Sequence, residues 1–304
     1  MRSLPRLRTT FPVAAPTWPK GVERPPVSRQ IGLDYDTAWA RRYGARLARA
    51  LFVDDFLRPL INLVGSPDVH GLDRLTDLDE PAIFAANHHS HLDTGVILTS
   101  LPERWRHKTV VAAASDTFFT TRATSAFSAL TIGAIPIERH RVNRRSSDLV
   151  AKLLNDGWSL IIFPEGGRSP DGWARDFRGG AAYLAVKCGR PVVPVYLQGT
   201  RQVLKKGQNL PASIANPFRR GPVKVNFGKP MRAAAGEDAR RFAARIERAI
   251  EELGDEWSTD WWSARRRAAA GTTPGLGGPA GSPWRRAWAL QEGRRAPVDA
   301  KSWP

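Results

Sequence analysis

The sequence predicts an α/β domain on a single, largely parallel sheet with flanking helices, preceded by an amphipathic helix and bounded by disordered ends. Three observations predict it. Between about residues 69 and 230, apolar runs of strand length alternate with stretches of helical period, as in strand–helix–strand units. The most distinctive polar motifs follow such apolar runs directly, where parallel sheets place their sites. Both ends are rich in Pro, Gly and Arg without hydrophobic period, which argues against a packed core there.

In chain order, residues 1–30 read as a disordered basic arm. Residues 31–64 read as an amphipathic, interfacial helical segment. Asp36 or Thr37 can cap a helix. Trp39, Tyr43, Leu47 and Leu51 recur on one face, and Arg41, Arg42, Arg46 and Arg49 occupy the rest of the cylinder. An aromatic stripe beside arginines suits a membrane interface. It also suits a surface helix that packs its stripe on the core and leaves its arginines in water. The main domain spans residues 65–254. Its expected strands are Ala82–Ala86, Thr109–Ala114, Ala134–Ile137, Leu160–Phe163, Pro191–Leu197 and Val223–Phe227. Its expected helices cover Thr94–Leu101, Ser146–Asn155 and Gly180–Cys188. A last helix carries Phe242, Ile246, Ile250 and Leu253 on one face and is closed by Gly254. Residues 255–304 form a Gly-, Pro-, Trp- and Arg-rich tail, expected to be mostly disordered.

With 304 residues, 42% of them hydrophobic, the chain is long enough for one sizeable core. Its net charge of +17 points to nucleic acid, an anionic membrane surface or phosphorylated substrates as partners. No recognised nucleic-acid motif accompanies the charge, much of which lies in the two ends. Nucleic acid is therefore the weaker expectation, and Trp beside Arg also suits a membrane interface. The one cysteine, Cys188, closes no internal disulfide and fits a reducing compartment. No run approaches the roughly 18 apolar residues of a spanning helix, and no apolar signal core follows the basic start. The expectation is a peripheral protein on the cytoplasmic face of the cell membrane.

Four stretches carry chemistry. Asn87-His-His-Ser-His-Leu-Asp93 follows an apolar run and holds three of the chain's 6 histidines. A turn here could set the Asp93 carboxylate against the His88 imidazole, fixing one ring nitrogen and leaving the other as a base. His88 would then take a proton from an acceptor hydroxyl that attacks a carbonyl. A metal site is the rival reading; no thiol or spaced carboxylate cluster completes one, so no metal is expected. In Phe163-Pro-Glu-Gly-Gly-Arg-Ser169 the glycines allow close backbone approach and Arg168 offers a fork for phosphate oxygens. The plainer reading is a glycine turn with a surface arginine. Gly133-Ala-Ile-Pro-Ile-Glu-Arg139 ends a buried run in a charged pair, where Arg139 is either a second phosphate clamp or a partner of Glu138. Val192-Val-Pro-Val195 reads only as an edge strand or a kink facing a site.

Taken in order, these stretches resemble the four blocks of the glycerophospholipid acyltransferases, the family of the 1-acyl-sn-glycerol-3-phosphate acyltransferases. Asn87, His88, Ser90 and Asp93 match the first block, and Gly133, Pro136 and Arg139 the second. Phe163, Pro164, Glu165, Gly166, Arg168 and Ser169 match the third, with Gly167 where the family carries Thr. Val193, Pro194 and Val195 match the fourth. Phe177-Arg-Gly-Gly180 resembles the family's later Phe-Lys-x-Gly, with Arg178 for the lysine. The resemblance covers about residues 65–230.

It implies an O-acyltransferase of phospholipid biosynthesis. The donor would be acyl-CoA or acyl carrier protein, the acceptor the free hydroxyl of a lysophosphatidic acid-like lysophospholipid, with no cofactor beyond that co-substrate. It further implies His88 as base and Asp93 as its orienting partner. Acceptor contacts would lie at Asn87, Ser90, Arg139, Glu165, Gly166, Gly167, Arg168 and Ser169, and the acyl-donor side at Val193, Pro194 and Val195. Rivals within the class accept on glycerol phosphate, a glycolipid or a lyso-aminolipid. Rivals outside it are a basic nucleic-acid-binding protein and a non-catalytic membrane protein.

Overall fold

The computed structural model describes residues 32–138, 144–169, 171–204 and 223–278. The arm at 1–30, Arg139 and the tail beyond residue 278 lie outside the described residues. Strands β1 (Asp68–His70), β2 (Ile83–Ala86), β3 (Thr109–Ala114), β4 (Ala134–Ile137), β5 (Ser159–Ile162), β6 (Val192–Gln198) and β7 (Lys224–Phe227) form one 7-stranded sheet. Its order is β1-β7-β6-β2-β5-β3-β4, and every neighbouring pair is parallel except β6 with β7. β2 and β5 have no exposed residue, as befits parallel strands covered on both faces. Each apolar run expected as a strand is one, within a residue at either end. β1 shows no such run, because its three residues are exposed or half-buried.

The helices are α1 (Tyr43–Leu51), α2 (Arg58–Gly65), α3 (Leu92–Ser100), α4 (Glu103–Arg106), α5 (Ser115–Phe118), α6 (Arg122–Ile132), α7 (Arg144–Asn155), α8 (Gly180–Cys188), α9 (Thr200–Val203), α10 (Ala239–Ser258) and α11 (Trp261–Ala270). They cover the sheet on both faces. Phe84, Ala86, Val193 and Val195 face α2 and α3, while Ile83, Ala85, Leu160 and Ile162 face α7, α8 and α10. This is the two-residue alternation of a strand read across a three-layer fold.

Several expectations need correction. β6 is not an edge strand but lies between β2 and β7. Pro194 is tolerated inside the sheet because the antiparallel ladder starts one residue later, at Val195 opposite Phe227. Gly228 N–H donates to the Pro194 carbonyl, and no return N–H is called for at the ladder's end. Gly254 does not close the last long helix. It sits inside α10, where a Cβ would stand 3.0 Å from the Tyr196 ring, so its glycine serves close packing. The irregular tail does not begin at residue 255 either. α10 runs to Ser258, Asp260 caps α11 by accepting from Ser263 N–H, and Arg267 forks onto Asp255 with two bonds of 2.7 Å.

The N-terminal segment is broken rather than continuous. A 3-10 turn at Ala38–Arg41 precedes an extended Arg42, so Trp39 leaves the stripe it was expected to share with Tyr43. α1 is also turned inside out. Tyr43, Leu47 and Leu51 are 80%, 50% and 56% exposed, whereas Arg49 is 3% exposed. Arg46 and Arg49 lie over the Trp158 ring at 5.5 and 5.6 Å from its centre. A π-type segment, Phe52–Leu57, joins α1 to α2.

At the junction of β1 and β7, Gly71 has φ +78°, and a Cβ there would lie 2.0 Å from the Phe227 carbonyl oxygen. Gly71→Ala therefore meets backbone that cannot step aside. It should lower the unfolding free energy by about 2 kcal/mol or more, read as an earlier urea midpoint. An unchanged midpoint would show that the junction yields.

Candidate active site

The site sits at the carboxyl ends of β2 and β5. β2 stops at Ala86, and Asn87 carries the chain on by pairing with the backbone of Leu197. Its Nδ2 donates to the Leu197 carbonyl, and Leu197 N–H donates to its Oδ1, both at 2.8 Å. The turn His88–His91 then opens α3, whose first turn holds Asp93. Asp93 has no solvent exposure. Its Oδ2 accepts from His88 Nδ1 at 2.9 Å, His89 N–H at 2.6 Å and Ser90 N–H at 2.8 Å. Burial alone would raise the Asp93 pKa, but the bond and charge of His88, with the Ser90 N–H, hold it below the usual carboxylate range. An ionised Asp93 only accepts, so the shared proton resides on Nδ1 and Nε2 is left as the basic nitrogen. The imidazole stacks on Phe163 with ring centres 4.0 Å apart, which fixes its plane.

The third block braces this turn from behind. Glu165 is 1% exposed, and its two oxygens accept from His88 N–H at 2.7 Å and Arg175 N–H at 2.9 Å. Burial pushes its pKa up to about 7, against the pull of those two bonds. Ser169 N–H donates to the His88 carbonyl at 2.9 Å. Gly166, at φ +67°, turns the loop under Arg178; a Cβ there would lie 3.0 Å from the guanidinium.

These contacts sort the expected site residues. His88, Gly166, Gly167 and Arg168 line one cavity of about 410 Å³. Asn87, Ser90, Glu165 and Ser169 are buried, and their side chains are spent on backbone or on neighbouring loop groups. They were expected as acceptor contacts; here they brace the loops that border the cavity instead of opening onto it. Ser90 Oγ donates to the Leu204 carbonyl, and the His89 and Ser90 N–H groups are taken by Asp93, so none of these serves an oxyanion. Val193, Pro194 and Val195 are not an acyl-donor wall either, since β6 buries all three within the sheet. Arg139 lies outside the described residues.

What the sequence reading missed is the apolar part of this cavity. Phe52 and Leu57 come from the π-type segment, Ile61 from α2, Phe118 from α5, and Phe127 and Ile132 from α6. α6 escaped notice because its Ser- and Thr-rich sequence carries little hydrophobic period, although Thr121 and Thr124 form a reciprocal cap at its start. His91 lines the same cavity, and burial, with Arg168 nearby, lowers its pKa. A second cavity, of about 870 Å³, opens on the other side of the turn and is lined by His89, Trp173 and Arg201. It is the larger, but His88 does not reach it. Among the described residues, no group of three or more His, Cys, Asp or Glu is placed to hold a metal ion.

A folded-state pKa below the unfolded one means that ionised Asp93 adds stability that is present above about pH 4 and lost as the pH falls through the folded value. Asp93→Asn should thus be about 3 kcal/mol less stable than wild type at pH 7, with the gap closing towards acid. Urea unfolding at several pH values checks this; a gap that does not depend on pH would mean that Asp93 is not held as an anion.

Comparison with known proteins finds relatives of the part of the chain that carries this turn. The acyltransferase family model matches residues 66–198. Over 166 residues the chain is 31% identical to a chloroplastic 1-acyl-sn-glycerol-3-phosphate acyltransferase of Brassica napus, covering 54% of this chain and 44% of that one. It is 30% identical over 172 residues to a chloroplastic enzyme of the same name from Arabidopsis thaliana, covering 56% and 45%. The chain thus spans less than half the length of these two plant proteins. The crystal structure of the 1-acyl-sn-glycerophosphate (LPA) acyltransferase PlsC from Thermotoga maritima matches with a TM-score of 0.52 at 24% identity, over 74% of this chain and 85% of that one, and shares its fold. Residues 66–198, which carry the His88/Asp93 turn and the loop that braces it, are thus similar to the acyltransferase family.

Proposed function

We propose that this chain transfers a fatty acyl group from a thioester donor, acyl-CoA or acyl carrier protein, to the free hydroxyl of a 1-acyl-glycerol-3-phosphate. One observation carries the reading. The ring whose Nδ1 is bound to buried Asp93 opens on a cavity that is cationic at Arg168 and apolar along Phe52, Leu57 and Phe118. That is the polarity of a phosphorylated lipid. The relatives' names support the same acceptor.

In the proposed reaction His88 Nε2 takes the acceptor's hydroxyl proton as its oxygen attacks the thioester carbonyl. The new C–O bond forms a tetrahedral oxyanion. Its collapse breaks the C–S bond, and the imidazolium returns the proton to the departing thiolate. Asp93 stays ionised and steadies the imidazolium. Arg168 would take the acceptor's phosphate, a charge-assisted contact that a neutral glycolipid could not make.

An acyl-transfer assay on the purified full chain, with acyl-CoA and acyl carrier protein thioesters and a panel of lysophospholipid, glycerol phosphate, glycolipid and lyso-aminolipid acceptors, tests the reading. His88→Ala should lower turnover by about 10²–10⁴. Arg168→Ala should lower acceptor efficiency roughly tenfold or more while donor KM stays near wild type. Near-normal turnover in folded His88→Ala would remove the mechanism, and preference for an uncharged acceptor would move the substrate class.

The acceptor lives in a bilayer, and among the described residues no helix is long and apolar enough to cross one. The reading therefore includes peripheral docking on an anionic membrane at the cytoplasmic face. Its support is α1, which turns Tyr43, Leu47 and Leu51 outward, with Phe127 of α6 exposed as well. Inserted apolar area resists salt, whereas attraction between charges fades as the Debye length shrinks. Wild type should co-sediment with anionic vesicles and keep part of that binding in high salt. Tyr43→Ala/Leu47→Ala should lose the salt-resistant part; full sedimentation of the double variant would place the contact elsewhere.

A further inference from the structure

The link between β6 and α9 touches the first block at several points. Leu197 pairs with Asn87, and the Leu204 carbonyl accepts from Ser90 Oγ at 2.8 Å. Thr200 lies between them, after Gly199 at φ +87°, and is fully buried. Two oxygens in this region are shut off from solvent and have no hydrogen-bond partner among the described residues: Asp93 Oδ1 and Thr200 Oγ1. They belong together, because the Thr200 hydroxyl is among the groups that hold the Asp93 pKa down. A carboxylate oxygen without a donor in such a place is costly, and the Thr200 hydroxyl, buried and unpaired among the described residues, can supply one.

We propose that Thr200 is a positioning residue, whose hydroxyl donates to Asp93 Oδ1 and stops the carboxylate from turning away from His88 Nδ1. The three donors on Oδ2 fix one end of the carboxylate, and Thr200 fixes the other. The bond matters most when His88 carries the extra proton, since the imidazolium then depends on an Asp93 that neither rotates nor takes the proton. Thr200 lies beyond the fourth block, so no motif residue supplies this contact.

The activity arm of the test rests on the acyl-transfer reading; a spectroscopic arm does not. Thr200→Val keeps the shape and removes the hydroxyl, and Thr200→Ser keeps the hydroxyl and removes the methyl. With acyl-CoA and 1-acyl-glycerol-3-phosphate, Thr200→Val should lose roughly tenfold to hundredfold in kcat with both KM values nearly unchanged, and Thr200→Ser should recover most of it. In proton NMR, the low-field resonance of the His88 Nδ1–H bond should move downfield in Thr200→Val, because a carboxylate relieved of a donor accepts more strongly from its remaining partner, and return in Thr200→Ser. Wild-type kcat and an unmoved resonance in folded Thr200→Val overturn the proposal. So does a serine variant as impaired as the valine one, which would make the methyl's packing the cause. A wild-type chain inactive with every donor and acceptor would sink the acyl-transfer reading, and the resonance would still decide the role of Thr200.

Discussion

Asp93 carries its carboxylate with no exposure to water, and a buried charge persists only where donors replace the lost solvent. Much of the site follows from that constraint. One oxygen gathers the His88 ring and the next two backbone N–H groups, so the segment from His88 to Ser90 is wound around the carboxylate. The winding points the imidazole at Phe163 and at the cavity. It also consumes the His89 and Ser90 N–H groups, so the cavity draws its polarity from groups such as His88, His91 and Arg168.

A second buried carboxylate, Glu165, works in a different environment. Among the described residues no cation pairs with it; its two oxygens accept from backbone N–H groups. Its pKa is accordingly pushed up, to about 7, where that of Asp93 is held down. The difference is physical: Asp93 faces an imidazole that can take up positive charge, and Glu165 faces peptide dipoles. Both carboxylates act on the same residue, one through its ring and one through its main chain, so His88 is held on two sides.

The architecture was legible wherever burial leaves a composition signal. Runs such as Thr109–Ala114 and Ala134–Ile137 could be read to the residue because strands covered on both faces have to be apolar throughout. The His88/Asp93 pairing was legible because both ends of the bond lie within one turn. The roles of Asn87, Ser90, Glu165 and Ser169 were not, because motif membership does not say whether a polar side chain faces substrate or backbone. Asn87, Ser90 and Glu165 are bound to strands or loops far along the chain, and Ser169 to its own loop. The Trp- and Arg-rich stretch at 255–270 misled for the opposite reason: composition suggested a tail, and its helix is held by the fork between Arg267 and Asp255. In α1 the periodicity was right, but a stripe has no sign, and which face met the core depended on Trp158 more than a hundred residues away.

The clamp on the first block also bears on the order in which the molecule assembles. Asn87 reaches Leu197 across 110 residues of chain, Ser90 reaches Leu204 across 114, and His88 reaches Glu165 across 77. Contacts of such span form only after the intervening chain has closed, and closing it is slow. Strands β2, β5 and β6 must therefore be in register before the histidine is held. During synthesis or refolding, a chain with most of its helices and strands in place would still lack the braced His88/Asp93 turn, so this arrangement would be the last to return and the first to be lost.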